Sequence, residues 1–174
     1  DSIYARLFNE LDIKCSYFSE SNLCDELNNI QCNFISCFSL NIQSIRSKFL
    51  EFNAFLSNLS TKNCFLDLIC LSETWCADYS RLSLPGYSVY FSARSSGSHG
   101  GSAIYVKDQI ISSQLFNENM FIDNLLEATT IKIELNGFKA IVMSIYRPNT
   151  SLVLGQGEQI DLFLTKLNLL LEFL

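Results

Sequence analysis

Two short apolar runs separated by a helical pattern constrain the fold of this chain more than any other feature. "FISCFSL" (34–40) and "FLDLICL" (65–71) have the length and the apolar content of buried strands. Between them, apolar residues recur at steps of three and four, as on one face of a helix: Ile45, Phe49, Phe52, Leu56 and Leu59. A strand, a helix and a strand in this order predict a right-handed βαβ unit with parallel strands.

The rest of the chain adds strand signals and one more helix, which predicts an α/β fold. "SVYF" (88–91) alternates as a strand, "SAIYV" (102–106) is interpreted as another strand, and a glycine- and serine-rich loop lies between them. "EATTIKIEL" and "FKAIVMSI" flank Asn136-Gly137, which is the strongest hairpin signal in the sequence. Residues 147–157 are interpreted as a loop. A final helix is indicated by Ile160, Phe163, Leu164, Leu167, Leu171 and Leu174.

Length and composition favour one globular domain. The chain has 174 residues, of which 48% are hydrophobic and 17% charged. Residues 34–174 form the predicted domain, and residues 1–33 are interpreted as a linker or upstream segment with one or two short helices. The first residue is not Met, and the pattern of the last helix runs to the final residue, so we expect a piece of something longer. No apolar run is long enough to predict a transmembrane helix.

Charge and cysteine content limit the classes of partner. The net charge is −6 and no polybasic patch occurs, which counts against strong non-specific DNA binding. An enzyme whose acidic residues hold a metal is not excluded. The seven cysteines are odd in number and include no CxxC pair, so neither a zinc site nor a disulfide framework is predicted. A reducing, intracellular setting fits this composition.

Three predicted strands end in polar residues that could meet. Asn41 follows the first strand, Glu73 the second, and Tyr146 the second arm of the hairpin. Ligands of open α/β sheets bind beyond the carboxyl ends of strands. A carboxylate and an amide suit Mg²⁺ better than zinc. Taken singly, Glu73 also fits a solvated loop position, Asn41 a turn or helix-entry position, and Tyr146 a half-buried aromatic position in a strand. His99 is interpreted as a solvated residue of a glycine-rich loop, and no catalytic triad can be built on it.

Five segments, taken in order, resemble a known family. They are "FSLNIQSIRSKFLEF", "DLICLSETW", "LPGYSVYFSAR", "GGSAIYVK" and "IYRPN". Together they resemble the endonuclease domain of LINE-type non-LTR retrotransposons, which belongs to the endonuclease/exonuclease/phosphatase superfamily. The resemblance covers residues 34–174.

The resemblance implies a four-layer α/β sandwich that is C-terminally incomplete here. It implies metal-dependent cleavage of a DNA phosphodiester, which nicks target DNA and primes reverse transcription. The implied partners are DNA and a downstream reverse-transcriptase domain, in the nucleus and away from membranes. The family continues into a Gly-Asp-Phe-Asn motif, another aspartate and a catalytic histidine. We therefore expect this chain to be inactive alone and prone to aggregate.

Site residues follow from the resemblance position by position. Glu73 matches the metal-binding glutamate of the family, and Asn41 matches the asparagine that helps orient the metal and the phosphate. Tyr146 matches the tyrosine that hydrogen-bonds the active-site phosphate or nucleophile network. Asn149, with Arg147 of the same segment, is expected to contact substrate.

The implied cofactor is Mg²⁺, with Mn²⁺ as an alternative. Gln43 stands where apurinic endonucleases carry an acid, so this metal contact is not expected. Two other functions stay open from the sequence. One is a superfamily phosphatase or phosphodiesterase acting on small or lipid phosphates, and the other is a non-catalytic fragment that serves as an interaction module. "SETW" and "IYRPN" favour the endonuclease.

Overall fold

The computed structural model describes residues 22–25, 35–94, 99–116, 121–148 and 156–173. In chain order the elements are β1 (Cys37–Asn41), α1 (Ile45–Thr61), β2 (Leu68–Ser72), β3 (Tyr87–Ser92), β4 (Ser102–Lys107), β5 (Ile111–Leu115), β6 (Phe121–Ile122), β7 (Leu126–Leu135), β8 (Phe138–Tyr146) and α2 (Gln156–Phe173). Residues 22–25 form a helical turn. No helix within these ranges has the length and apolar character needed to cross a membrane.

The predicted strand–helix–strand unit is present at the start of the domain. β1 and β2 run parallel, from the pair Cys37–Leu68 to the pair Asn41–Ser72. α1 connects them. The strands form sheet A in the order β1-β2-β4-β3, in which β4 is antiparallel to both of its neighbours.

The predicted hairpin forms the second sheet, sheet B. β7 and β8 pair antiparallel from Leu135–Phe138 to Glu127–Tyr146. Asn136 and Gly137 connect them with φ angles of 52° and 82°, as two-residue hairpin turns require. β5 and β6 pair with β7 along its other side. Neither of these short strands was predicted.

The elements stack in four layers, and strand alternation assigns residues to them. In β2, Ile69 and Leu71 face α1, whereas Leu68 and Cys70 face sheet B. On the outer side of sheet B, α2 packs through Leu170 onto Leu126, and both side chains are fully buried. The two-sheet α/β architecture expected from the sequence is therefore confirmed, and it brings the ends of β2 and β8 together.

One prediction about the core is wrong. β1 is mostly exposed in the described part of the chain, although its aromatic and aliphatic content predicted a buried strand. Its position at the edge of sheet A explains the difference, since an edge strand has a neighbour on one side only. Cys70 is buried as expected, but Cys37 is exposed, and the two sulfurs lie 3.7 Å apart.

Candidate active site

Asn41 and Glu73 meet at the carboxyl ends of the two parallel strands. Asn41 is the last residue of β1 and pairs with Ser72, so Glu73 follows directly beyond that pair. The ladder continues one step further, because the Ile42 amide donates to the Ser72 carbonyl at 3.0 Å. The side-chain amide of Asn41 donates to Oε1 of Glu73 at 3.1 Å. The parallel register thus brings these two side chains together.

The start of α1 fixes the backbone of Glu73. The Ser44 amide donates to the Glu73 carbonyl at 2.9 Å, and the Ile45 amide donates to the Thr74 carbonyl at 3.0 Å. Ser44 also caps α1, since its hydroxyl accepts from the Ser47 amide. The helix and the turn after β2 are therefore joined through the backbone, which limits how far Glu73 can move.

The turn before α1 and the turn after β2 both contain non-glycine residues in the left-handed backbone conformation. The φ angle is 51° at Glu73 and at Trp75, 46° at Gln43 and 80° at Ser44. Side chains with a Cβ rarely adopt such angles, and each costs of the order of 1–3 kcal/mol unless the surroundings enforce it. Strain of this kind concentrates at functional sites. Its presence in both segments marks this end of sheet A as a candidate active site.

Tyr146 reaches the same place from sheet B. Its hydroxyl hydrogen-bonds Glu73. β8 is held against β2 by the Ser144 hydroxyl, which donates to the Leu71 carbonyl at 3.0 Å. Burial raises the pKa of Tyr146 to about 12, and the hydrogen bond and charge of Glu73 act in the same direction. The phenol therefore stays neutral near pH 7 and can act as a donor.

Glu73 is held in its ionised form. Partial burial acts to raise its pKa, but hydrogen bonds from Tyr146 and Asn41 outweigh that effect, so the pKa of Glu73 is lowered. The indole of Trp75 and the charge of His99 add to this lowering. Near neutral pH the site therefore presents a carboxylate that is already oriented by two neutral donors.

Trp75 and His99 form one wall beside Glu73. Their rings meet edge to face, with centroids 4.4 Å apart. His99 is exposed, as the sequence indicated, but its ring contacts the only tryptophan of the chain. The Trp75 indole nitrogen is buried and lacks hydrogen-bond geometry to any partner in the described structure. This N–H nevertheless acts on Glu73, since it helps to lower the pKa of that carboxyl group.

A buried ion pair lies behind the site and was not anticipated. Glu127 of β7 is fully buried and pairs with Arg94, which follows β3. The signal for it was in the alternation of β7. Glu127 falls on the same face as Ile131 and Ile133, which face sheet A. An acid on the inner face of a strand is rare unless it is paired, so this position could have been singled out.

Three other residues named from the sequence have different outcomes. Arg147 directly follows β8 and is exposed. Gln43 is exposed in the turn before α1. Asn149 lies outside the described residues, so its role stays a prediction.

The donors at the site fit a weakly held hard cation. Glu73 provides one ionised carboxylate, and because Asn41 uses its amide nitrogen toward Glu73, its Oδ1 is left for a cation. Within the described ranges, no three His, Cys, Asp or Glu side chains are grouped to hold a metal. Mg²⁺ commonly takes one or two carboxylates and fills its sphere with waters and substrate phosphate. A bound ion would neutralise charge on a phosphate there.

Comparison with known proteins agrees with this architecture. The sequence profile of the Endonuclease/Exonuclease/phosphatase family matches residues 38–170. That range includes β2, the hairpin, all but the first residue of β1 and most of α2. No curated protein sequence matches the chain significantly.

Solved structures show the same fold. Humanized D. rerio TDP2 matches with a TM-score of 0.53 and 14% identity, covering 79% of this chain and 58% of that one. D. rerio TDP2 complexed with single strand DNA product matches with a TM-score of 0.50 and 16% identity, covering 77% of this chain and 54% of that one. The chain thus spans little more than half the length of these neighbours. At such identities the likeness extends to the fold alone.

Proposed function

The chain belongs to the Endonuclease/Exonuclease/phosphatase family, and on that premise we propose that it is a metal-dependent DNA endonuclease domain of the LINE-type retrotransposon kind. In this proposal it nicks target DNA so that a reverse-transcriptase domain of the same polyprotein can extend the free end. The site residues are Asn41, Glu73 and Tyr146, and the cofactor is Mg²⁺ or Mn²⁺. The setting is intracellular and nuclear.

The network of Asn41, Glu73 and Tyr146 is the observation that carries this proposal. It places an ionised carboxylate next to an amide and a neutral phenol, at the adjoining ends of strands from both sheets. Phosphodiester hydrolysis needs charge stabilisation on the phosphate and donors for its oxygens. The carboxylate and the Asn41 oxygen suit the cation. The phenol suits a phosphate oxygen.

DNA is favoured as the substrate by two observations of different kinds. One TDP2 neighbour was solved with a single strand DNA product. The segments "SETW" and "IYRPN" resemble retrotransposon endonucleases, and they contain Glu73 and Tyr146. Because the net charge is −6, binding would depend on the metal and on local contacts rather than on a basic surface.

Nicking of supercoiled plasmid in the presence of Mg²⁺ tests the proposal. The assay is run on the longest natural form of the protein that contains these residues, because the chain spans only part of its structural neighbours. Glu73→Ala should lower the nicking rate by about 10²-fold or more. Glu51→Ala, which removes an exposed acid of α1, is the matched control and should keep the rate. Equal nicking by the Glu73 variant and the wild type would sink the proposal.

A phosphatase or phosphodiesterase with another substrate is the second candidate, and the name of the matched family favours it. It is distinguished by release of phosphate from small or lipid phosphate esters. Release that depends on Glu73, without plasmid nicking, would replace the endonuclease proposal by this one. If neither activity depends on Glu73, a non-catalytic interaction module remains.

A further inference from the structure

The carboxylate of Glu127 is fully buried, and both of its oxygens have partners within the protein. Arg94 donates to Oε1 from Nε at 2.5 Å, and its Nη2 lies 2.5 Å from the same oxygen. The Gly101 amide donates to Oε2 at 2.6 Å. The Asn124 amide, at 3.4 Å from Oε1, adds a longer contact from the turn before β7. The side chain of Arg94 is itself only 12% exposed.

Stabilisation of the fold does not by itself account for this pair. Removing two charges from water is costly, and apolar residues of similar volume often stabilise a core as well or better. Further along the same face of β7, Ile131 and Ile133 belong to such an apolar cluster between the sheets. The position of Glu127 therefore has to be understood from what its carboxylate holds in place.

What it holds is the backbone that anchors the turn of Glu73. The Gly100 carbonyl accepts from the Trp75 amide at 2.8 Å, and the Gly101 carbonyl accepts from the Thr74 amide at 3.3 Å. Thr74 and Trp75 are the two residues that directly follow Glu73. A chain of hydrogen bonds thus runs from Glu127 through the glycine pair to the turn.

Close packing makes this connection stiff. Gly100 and Gly101 have φ angles of 77° and 82°. A Cβ on Gly100 would collide with the Arg94 and Glu127 side chains, and a Cβ on Gly101 would crowd the Thr74 hydroxyl. Glycine is therefore needed at both positions for the turn and the ion pair to approach each other. A change at the Arg94–Glu127 pair is therefore transmitted to the turn of Glu73, because the groups between them are in close contact.

Glu127 also lies next to the other half of the site. It is the cross-strand partner of Tyr146 in the β7–β8 ladder, and such partners have Cβ atoms about 5 Å apart. Tyr146 in turn hydrogen-bonds Glu73. One buried residue therefore adjoins both sides of the Glu73–Tyr146 contact.

We propose that the Arg94–Glu127 pair is a positioning element of the active site, which sets the backbone turn of Glu73 through Gly100 and Gly101. The inference rests on the proposed function for its biological meaning. Neither residue contacts the substrate in this proposal. Their role is to fix where the catalytic carboxylate stands relative to Tyr146.

Trp75 provides a direct readout, because it is the only tryptophan and its amide is bound to Gly100. In Glu127→Gln and Arg94→Met, we expect Trp75 emission to move to longer wavelength. We also expect the acrylamide quenching constant to rise about twofold or more, as a loosened turn exposes the indole. Arg94→Lys keeps the charge but loses the planar guanidinium with its several donors. Its emission wavelength and quenching constant should therefore lie between those of Arg94→Met and the wild type.

Ile131→Val is the control for a loss of stability alone. Ile131 is fully buried in the same strand as Glu127 and lies outside the site. The Ile131→Val substitution should lower the Tm while leaving Trp75 emission and quenching as in the wild type. Should Glu127→Gln fail to fold, Arg94→Lys decides by the same criterion. If every folded variant of the pair leaves Trp75 like the Ile131 control, the pair only stabilises the fold and the inference is overturned.

The fluorescence result is independent of whether the protein nicks DNA, so the two proposals can fail separately. Where nicking depends on Glu73, Glu127→Gln should lower its rate by about tenfold or more, since small displacements of catalytic groups are costly. Unchanged nicking together with an altered Trp75 would overturn the positioning role and leave the endonuclease proposal intact.

Discussion

Glu127 and Tyr146 are direct partners across the β7–β8 ladder, and they contact different parts of sheet A. Glu127 accepts from the Gly101 amide before β4, whereas Tyr146 hydrogen-bonds Glu73 after β2. One rung of sheet B thus touches two neighbouring strand ends of sheet A. The candidate site is built across the inter-sheet boundary, so it depends on how the sheets dock.

Removing the phenol hydroxyl should raise the pKa of Glu73. In Tyr146→Phe the carboxylate loses a hydrogen bond that favours its charged form, while the burial that opposes ionisation remains. Carboxyl carbon NMR during a pH titration measures this pKa. Tyr90→Phe is the control, because Tyr90 bonds the Ser112 carbonyl at 3.0 Å outside the site. An unchanged Glu73 titration in Tyr146→Phe would contradict the described contact.

Glu73 should make stability fall in acid. Its pKa is lowered below the ordinary value of 4.5 in the folded state, so between the two values the unfolded chain binds more protons. The stabilisation is complete above the unfolded pKa and is lost as the pH falls through the folded pKa. We expect the urea midpoints of wild type and Glu73→Gln to differ most near neutral pH and to converge in acid.

Glu51→Gln is the control for that pH series, since it removes one exposed acid of α1 from outside the site. The difference between wild type and this control should not follow the Glu73 profile. A gap between wild type and Glu73→Gln that widens in acid would reverse the sign and contradict the assignment.

Gly100 and Gly137 allow backbone strain to be separated from collision. Their φ angles are 77° and 82°, so alanine strains both backbones, typically by about 1 kcal/mol. A Cβ at Gly137 meets nothing within 4 Å, whereas one at Gly100 collides with Arg94 and Glu127. Gly100→Ala should therefore cost clearly more, by about 1–3 kcal/mol beyond Gly137→Ala. Chemical unfolding of both variants measures the difference. Equal losses in the free energy of unfolding would show that the Arg94 and Glu127 side chains move aside without cost.

Leu170 should be the main attachment of α2. It is fully buried against sheet B, while its neighbour Leu169 is 48% exposed. Leu170→Ala should lower the free energy of unfolding by about 2–5 kcal/mol, and Leu169→Ala should change it by less than about 0.5 kcal/mol. Thermal and urea unfolding of the two variants provide the comparison. Similar losses from both would mean that α2 packs through another face.

Local sequence patterns were enough to predict the strand–helix–strand unit and the hairpin. The apolar periods around α1 predicted β1, α1 and β2, and Asn136-Gly137 predicted the hairpin. Strand polarity then sufficed to bring Asn41 and Glu73 to one edge. Parallel neighbours must end on the same side, so no tertiary information was needed for that pair.

The remainder depended on contacts between distant segments. β5, "ISSQL", is too polar to be recognised as a strand, and it is held by pairing with β7. The exposure of β1 follows from the strand order, which periodicity does not encode. Arg94 lies 33 residues before Glu127, and no local pattern indicates that the two would pair.

The order in which the site can assemble follows from the spacing of its members along the chain. Asn41 and Glu73 are 32 residues apart and belong to one strand–helix–strand unit, whereas Tyr146 comes from a hairpin far downstream. Contacts that close shorter loops cost less entropy and tend to form earlier. The carboxylate–amide half can thus be complete while the phenol is still absent. Docking of the hairpin then becomes the step that completes the candidate site.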